Sequence, residues 1–242
     1  KIGQGPGEIP QFTVDMAISD NKIYLLLLNM VIVYSLEGDY VDTIRLLFFP
    51  RFIGVDLEGN MYLISDNGPN GKMINMLDKD GRLIASYGEL FEAKNSSFSR
   101  IQKKWLPYAV YMSGKGKIII ANPFRQEILI YHREKSKESL RINSRAYVRP
   151  KYNKNPRGGG YITGGIEAIA EKDGCLLLVL GGQKRGKLIE AYSAKTGEFL
   201  CATKIDADGY ARITNKGNLY ICDDDSITRY SVTLRTKSEN YQ

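Results

Sequence analysis

Histidine is almost missing from this chain. His132 is the only one among 242 residues, and Trp105 is the only tryptophan. One imidazole cannot build a zinc centre that takes several histidine ligands. No nucleophile-elbow pattern accompanies it, so a Ser-His-Asp assignment has no local support. His132 is therefore expected to be a structural or surface residue. Cysteine is nearly as scarce. Cys175, Cys201 and Cys222 have no CxxC spacing and no histidine nearby, which argues against zinc. All three fall in apolar strand patterns and are read as small packing residues. A Cys201–Cys222 bridge is open but unforced, so cysteine usage does not decide the redox compartment. Long apolar runs are absent too: the longest, Ile23 to Tyr34, is broken by Asn29 and falls short of the roughly 20 residues that span a bilayer. The pattern Gly-x-x-x-x-Gly-Lys-Ser/Thr is missing, so Gly158–Gly160 and Gly181–Gly182 read as a loop and a turn rather than a phosphate cradle. No cofactor and no metal site is expected from these residues.

What the chain does contain is repetition. Gly59-Asn60-Met61-Tyr62-Leu63-Ile64-Ser65-Asp66 and Gly217-Asn218-Leu219-Tyr220-Ile221-Cys222-Asp223 are near copies. Each is a glycine turn, a short apolar strand with tyrosine early in it, and a closing aspartate. Weaker echoes begin at Asn21, Gly116 and Gly174. Around them lie further short strands joined by Asp-Gly, Gly-Asp and Gly-Asn pairs, which supply the positive φ that tight hairpins need. Four hairpin-linked strands recurring at about 40–45 residues have the dimensions of a propeller blade. The expected fold is all-β, a β-propeller of four-stranded antiparallel blades, with five repeats visible. Units are placed at about 12–46, 51–87, 108–142, 166–205 and 210–235, within a single domain over 1–235, followed by a polar tail over 236–242. The first strand of each unit should line the central channel, which nominates Ile53, Val55, Val110, Ala168 and Ile213.

The spacing between repeats is uneven, and the two long intervals locate inserts at about 90–106 and 143–160. The first, around Phe91–Phe98, is read as able to form a short helical turn, and the second as an extended, exposed loop. Inserts in repeat proteins map to loops on one face, often the binding face. The net charge is +7. The stretch from Arg133 to Gly160 carries a local excess of seven positive charges, as large as that of the whole chain. Arg141, Arg145, Arg149, Lys151, Lys154 and Arg157, interleaved with Tyr147 and Tyr152, form the candidate polyanion-binding set: cations on phosphates and aromatic rings on bases are how a single strand is held. The plainer alternative is a solvated basic loop. Asp223-Asp224-Asp225 could be drawn as a hard-cation site, but at a strand-to-strand turn aspartates are more simply acceptors for backbone N–H groups. Asp66 occupies the matching turn.

Gly3-Gln4-Gly5-Pro6-Gly7-Glu8 resembles the G-x-G-P-G-E linker between blades of NHL-repeat propellers and related bacterial six-bladed β-propeller proteins. Gly59–Asp66 and the segment from Gly217 to Asp224 are similar to that family's second strand, and Ile74–Gly81 to its third strand and turn. The first, second and fifth units carry the match, while the third and fourth depart from it. The resemblance implies six blades, one of them upstream of Lys1, since the chain opens inside a motif and is expected to be part of a longer polypeptide. A five-membered ring closed by Lys1–Gly3 is the alternative. The resemblance also implies export from a bacterium and a non-catalytic role, presenting loops to a protein or glycan partner. Its amidating lyases use several zinc-binding histidines, which this chain lacks. A lactonase-like metal-dependent hydrolase, or an RNA-binding propeller acting through the basic insert, are the competing functions. Nucleic acid is the less favoured partner.

Overall fold

The computed structural model describes residues 13–92, 104–105, 109–113, 115–122, 125–133, 137–148, 151–154, 160–181, 186–207, 209–214, 216, 218–222 and 226–233. They form a five-bladed β-propeller with almost no helix. Blade 1 comprises β1 (Asp15–Ser19), β2 (Lys22–Leu26), β3 (Met30–Ser35) and β4 (Tyr40–Arg45). Blade 2 comprises β5 (Phe52–Val55), β6 (Met61–Ile64), β7 (Ile74–Leu77) and β8 (Leu83–Tyr87). β9 (Phe91–Glu92) and β10 (Lys104–Trp105) form a separate two-stranded ladder. Blade 3 follows with β11 (Val110–Met112), β12 (Ile118–Ala121), β13 (Glu127–Tyr131) and β14 (Lys137–Arg141). A second ladder joins β15 (Lys151–Lys154) to β16 (Gly160–Thr163). Blade 4 is β17 (Ile166–Lys172), β18 (Cys175–Leu180), β19 (Lys187–Ser193) and β20 (Phe199–Ile205). Blade 5 has three described strands, β21 (Tyr210–Ile213), β22 (Asn218–Cys222) and β23 (Ile227–Ser231).

Every blade is a meander, each strand pairing antiparallel with the next in sequence. The first turns are built on positive φ at Asn21, Gly59, Gly116 and Gly174 (56°, 84°, 74° and 74°), a conformation that glycine and asparagine adopt most cheaply. Burial is deepest in the second and third strands of a blade and least at the rim. β6, β7 and β12 are buried along their whole length, whereas the outermost β20 is exposed along most of it. The two central strands of a blade are covered by neighbouring blades on both faces, and so read as continuous apolar runs rather than as alternation.

Neighbouring blades stack through apolar clusters. Tyr24, Leu26, Val31 and Val33 of blade 1 meet Ile53, Val55, Met61 and Leu63 of blade 2. Tyr62, Ile64, Ile74 and Met76 meet Ile118, Ile120 and Leu129 of blade 3. Ile119, Ile128 and Ile130 meet Ile169, Leu176 and Leu178 of blade 4. Leu177, Val179 and Ile189 meet Ala211, Leu219 and Ile221 of blade 5. Among the described residues no such cluster joins blade 5 to blade 1.

Polar contacts bind the blades along the face that carries the first and third turns of each blade. Ser19 Oγ donates to Asp56 O at 2.9 Å, and Lys117 Nζ lies 2.7 Å from Glu171 Oε2. Arg133 grips Glu58 with both guanidinium nitrogens, and Lys172 Nζ donates to Val232 O at 3.3 Å. Asp56 anchors this belt. Its Oδ1 accepts the N–H groups of Glu58 and Asn60, and its Oδ2 accepts Asn60 Nδ2 and Tyr62 Oη, at 2.9 to 3.1 Å.

Several expectations need revision. The insert over 143–160 contains an antiparallel hairpin, β15–β16, because Lys151–Lys154 finds partners in Gly160–Thr163. The first insert starts and ends as a ladder, Phe91 opposite Trp105, and the proposed helical turn falls largely outside the described residues. Cys201 is exposed on β20 rather than packed, and Cys175 and Cys222 are half-buried; all three are free thiols. Burial raises the Cys175 thiol pKa. Gly158, Gly159, Gly182, Asp223–Asp225, residues 3–8 and the tail over 236–242 lie outside the described residues. No helix among the described residues is long and apolar enough to cross a membrane.

Candidate ligand-binding site

The first strands of the five blades, β1, β5, β11, β17 and β21, converge on one central cavity of about 180 Å³. Ile53, Val110, Ala168 and Ile213 line it as their positions suggested. Val55 belongs instead to the cluster between blades 1 and 2. The lining is drawn mainly from the N-terminal ends of these strands: Asp15 and Met16, Phe52 and Ile53, Ala109 and Val110. In an antiparallel meander this end of the blade also carries the second turn and the link to the next blade. Both inserted ladders occupy such links, β10 leading towards Ala109 and β16 towards Ile166. The cavity and the inserts therefore share one face.

Among the described residues, three ionisable residues line the cavity: Asp15, Glu167 and Arg212. Glu167 is placed by a backbone irregularity. The β17–β18 register shifts between Ile166 and Ala168, leaving Glu167 as the unpaired bulge residue, and bulges commonly re-aim a side chain beside a functional cavity. A Cβ on Gly181 would fall 2.2 Å from Glu167 Oε1, so a larger residue there would displace that carboxylate from its present position. Lys187 Nζ holds the other oxygen at 2.6 Å. Asp15 Oδ2 accepts the Ile53 N–H at 3.0 Å across the blade 1–2 boundary.

Burial raises the Asp15 pKa above its ordinary 3.8, and the Ile53 N–H and Arg212 pull against that shift without cancelling it. A carboxylate whose folded pKa is raised costs stability when ionised. Stability tied to Asp15 is thus complete below pH 3.8 and is lost as pH rises through the folded value. Asp15→Asn is expected to raise Tm at pH 7, with the gain vanishing in melts near the acid limb. An equal gain at both pH values would refute this account.

The cavity offers separated acid and guanidinium groups between aliphatic walls, an arrangement that fixes the orientation of a small polar group. Among the described residues no three histidine, cysteine, aspartate or glutamate side chains converge to hold a metal ion. His132 lies after β13, with Nε2 3.3 Å from Glu138 Oε1, away from the cavity. Of the candidate polyanion set, Arg141, Arg145 and Lys151 are exposed. Tyr147 packs against the cluster between blades 3 and 4. Tyr152 and Lys154 lie on β15, their side chains outside the described set, and Arg149 and Arg157 are outside it altogether.

No family model matches the chain, and no curated protein matches it. Solved structures do. A Bacteroides fragilis protein described as exported superposes with a TM-score of 0.56 at 15% identity, over 91% of this chain and 68% of that one. Hydrazine synthase of Kuenenia stuttgartiensis gives 0.54 at 10%, over 95% of this chain and 65% of that one. A DUF4221 family member from Bacteroides vulgatus gives 0.60 at 10%, over 90% and 74%. At these identities the likeness establishes the fold. The chain spans roughly two thirds to three quarters of the length of these proteins.

Asp15, Glu167 and Arg212 lie far apart in the chain and come to one cavity only when the blades pack together, so no motif marks them in the sequence. One local signal was available: Asp15 and Glu167 sit near the start of strands otherwise rich in apolar residues, where a charge is out of place unless it faces a cavity.

Proposed function

We propose that this chain is a non-catalytic binding or scaffolding propeller of the NHL-like, six-bladed kind, which presents its insert face to a protein or glycan partner outside the cytoplasm. One observation carries the reading: the cavity, the inserts and the exposed Leu28, Leu47 and Phe49 share one face, with Leu36 and Leu57 exposed at turns of the other. Leu28 lies in the second turn of blade 1, and Leu47 and Phe49 lie in the link to blade 2; all three are exposed, Leu47 completely. Apolar and aromatic side chains held open beside a polar cavity suit a partner that supplies both kinds of surface. Export and the six-bladed lineage rest on the Gly3–Glu8 linker and its resemblance. The hydrolase alternative would recruit Asp15 and Glu167 as cation ligands, but these already bind the Ile53 N–H and Lys187.

The test is calorimetric titration of the intact chain with a panel of neutral and acidic polysaccharides. Binding is expected, and Leu47→Ser with Phe49→Ser should weaken it by roughly tenfold or more. Affinity unaffected by these changes would move the site off this face. Stoichiometric calcium or zinc with hydrolysis lost on chelation would favour the hydrolase. A second reading, polyanion binding through the basic insert, is favoured by the exposure of Arg141, Arg145 and Lys151. Single-stranded RNA titrated at low and physiological salt separates the two. Only the polyanion site should lose affinity on joint replacement of Arg145, Arg149, Lys151 and Arg157 by glutamine, and its affinity should fall steeply with salt.

A further inference from the structure

Lys117, Lys187 and Arg133 are each matched by a carboxylate: Lys117 Nζ lies 2.7 Å from Glu171 Oε2, Lys187 Nζ 2.6 Å from Glu167 Oε2, and Arg133 holds Glu58. Arg212 on the cavity wall is not matched. Among the described residues its guanidinium makes one hydrogen bond, from Nη1 to Ala211 O at 3.4 Å, and no ion pair. Asp15 is close enough for Arg212 to pull its pKa down, yet the two groups are not in contact. Folding does not ask for an arginine at this place. β21 buries Ala211 and Ile213 against blade 4, so strand alternation turns Arg212 to the other side. It stands opposite Tyr220 as Gly54 of blade 2 stands opposite Tyr62. The near copy of this strand pair therefore has no side chain where blade 5 has a guanidinium.

A guanidinium with most of its donors unused offers a planar fork that fits one carboxylate through two parallel N–H···O bonds. Acceptors stand on the same cavity wall, at Asp15 and Glu167. The Ile53 N–H takes one place on Asp15 Oδ2, and Lys187 one on Glu167 Oε2. An ionised carboxylate accepts about four hydrogen bonds, so both keep capacity for donors on a ligand. Phe52, Ile53, Val110 and Ile213 supply apolar wall. The volume of about 180 Å³ equals roughly six waters, which admits a single amino acid or sugar and excludes a chain of them.

We propose that the cavity binds a small organic acid with one carboxylate, held on Arg212, and with ammonium or hydroxyl groups that donate to Asp15 and Glu167. Amino acids and sugar acids share that chemistry. A phosphate dianion fits less well, because one guanidinium does not offset two charges brought up to two carboxylates. Leu28, Leu47 and Phe49 do not line the cavity, so this inference goes beyond the partner reading above and does not depend on it.

Calorimetric titration of the intact chain tests this with two probe sets at millimolar concentration: the common amino acids, and lactate, gluconate, glucuronate and galacturonate. At least one acid is expected to bind, once per chain. Its amide, which keeps the donors and loses the charge, should bind roughly tenfold or more weakly, the scale of one charged hydrogen bond. Arg212→Gln should cause a similar loss, and Arg212→Lys, which keeps the charge without the fork, a smaller one. The set that binds identifies the donor as ammonium or hydroxyl. The proposal is overturned if no acid binds, if acid and amide bind alike, or if Arg212→Gln leaves affinity unchanged. Inorganic phosphate binding more tightly than every acid overturns it too. Thermal melts report whether the variants fold, and the amide comparison on the unaltered chain decides without them. Leu47→Ser with Phe49→Ser should leave acid binding unchanged, so the acid and polysaccharide titrations succeed or fail separately.

Discussion

Replacing Asp56 by alanine is expected to cost about 3–5 kcal/mol, because removing the carboxylate strands several donors at once. Asp56 is 2% exposed, and its oxygens hold two backbone N–H groups, the Asn60 amide and the Tyr62 hydroxyl. Asn60 and Tyr62 are buried, so their donors have little water to turn to, whereas Glu58 lies in an exposed turn. The turn they define also positions Glu58 for Arg133 of the next blade, so the damage reaches an inter-blade contact. Asp56→Asn should fall between the two: its amide oxygen can still serve the backbone donors, but its NH2 cannot accept from Tyr62. Urea unfolding gives the values. A loss below about 1 kcal/mol for the alanine variant would mean that water or relaxation replaces the network.

Gly116→Ala is expected to lose about 2–3 kcal/mol by two routes. The residue has φ of 74°, a region that favours glycine. A Cβ there would also lie 2.5 Å from the Tyr62 hydroxyl, which Asp56 holds in place. The steric part depends on that oxygen and the backbone part does not. In a Tyr62→Phe background the cost of Gly116→Ala should therefore shrink by roughly 1 kcal/mol, a coupling readable from a double-mutant cycle. Strict additivity would show that backbone conformation alone is responsible.

The propeller was legible because its turns and strands are local. Asn21, Gly59, Gly116 and Gly174 mark hairpins through a conformational need visible in residue type alone, and the apolar runs between them are fixed by burial. The hairpin at β15 was not legible: Lys151-Tyr152-Asn153-Lys154 has no apolar face, and its pairing with β16 depends on partners across a loop. Exposure of Cys201 was hidden for a related reason. Strand pattern does not reveal that a last strand stands at the rim, where both faces meet solvent. Val55 shows the finest limit. It shares a strand and a side of that strand with Ile53, yet only Ile53 is near enough to the N-terminal end to border the cavity.

The clusters between blades also bear on how the molecule holds together. Among the described residues four apolar clusters join the five sheets, and each sheet draws its support from its immediate neighbours. Among the described residues blades 2, 3 and 4 take part in two such clusters each, and blades 1 and 5 in one each. Opening is therefore expected to begin at blades 1 and 5 and to move inward. Asp15 of blade 1 and Arg212 of blade 5 line the same cavity, so the cavity lies between the two blades that share no apolar cluster among the described residues.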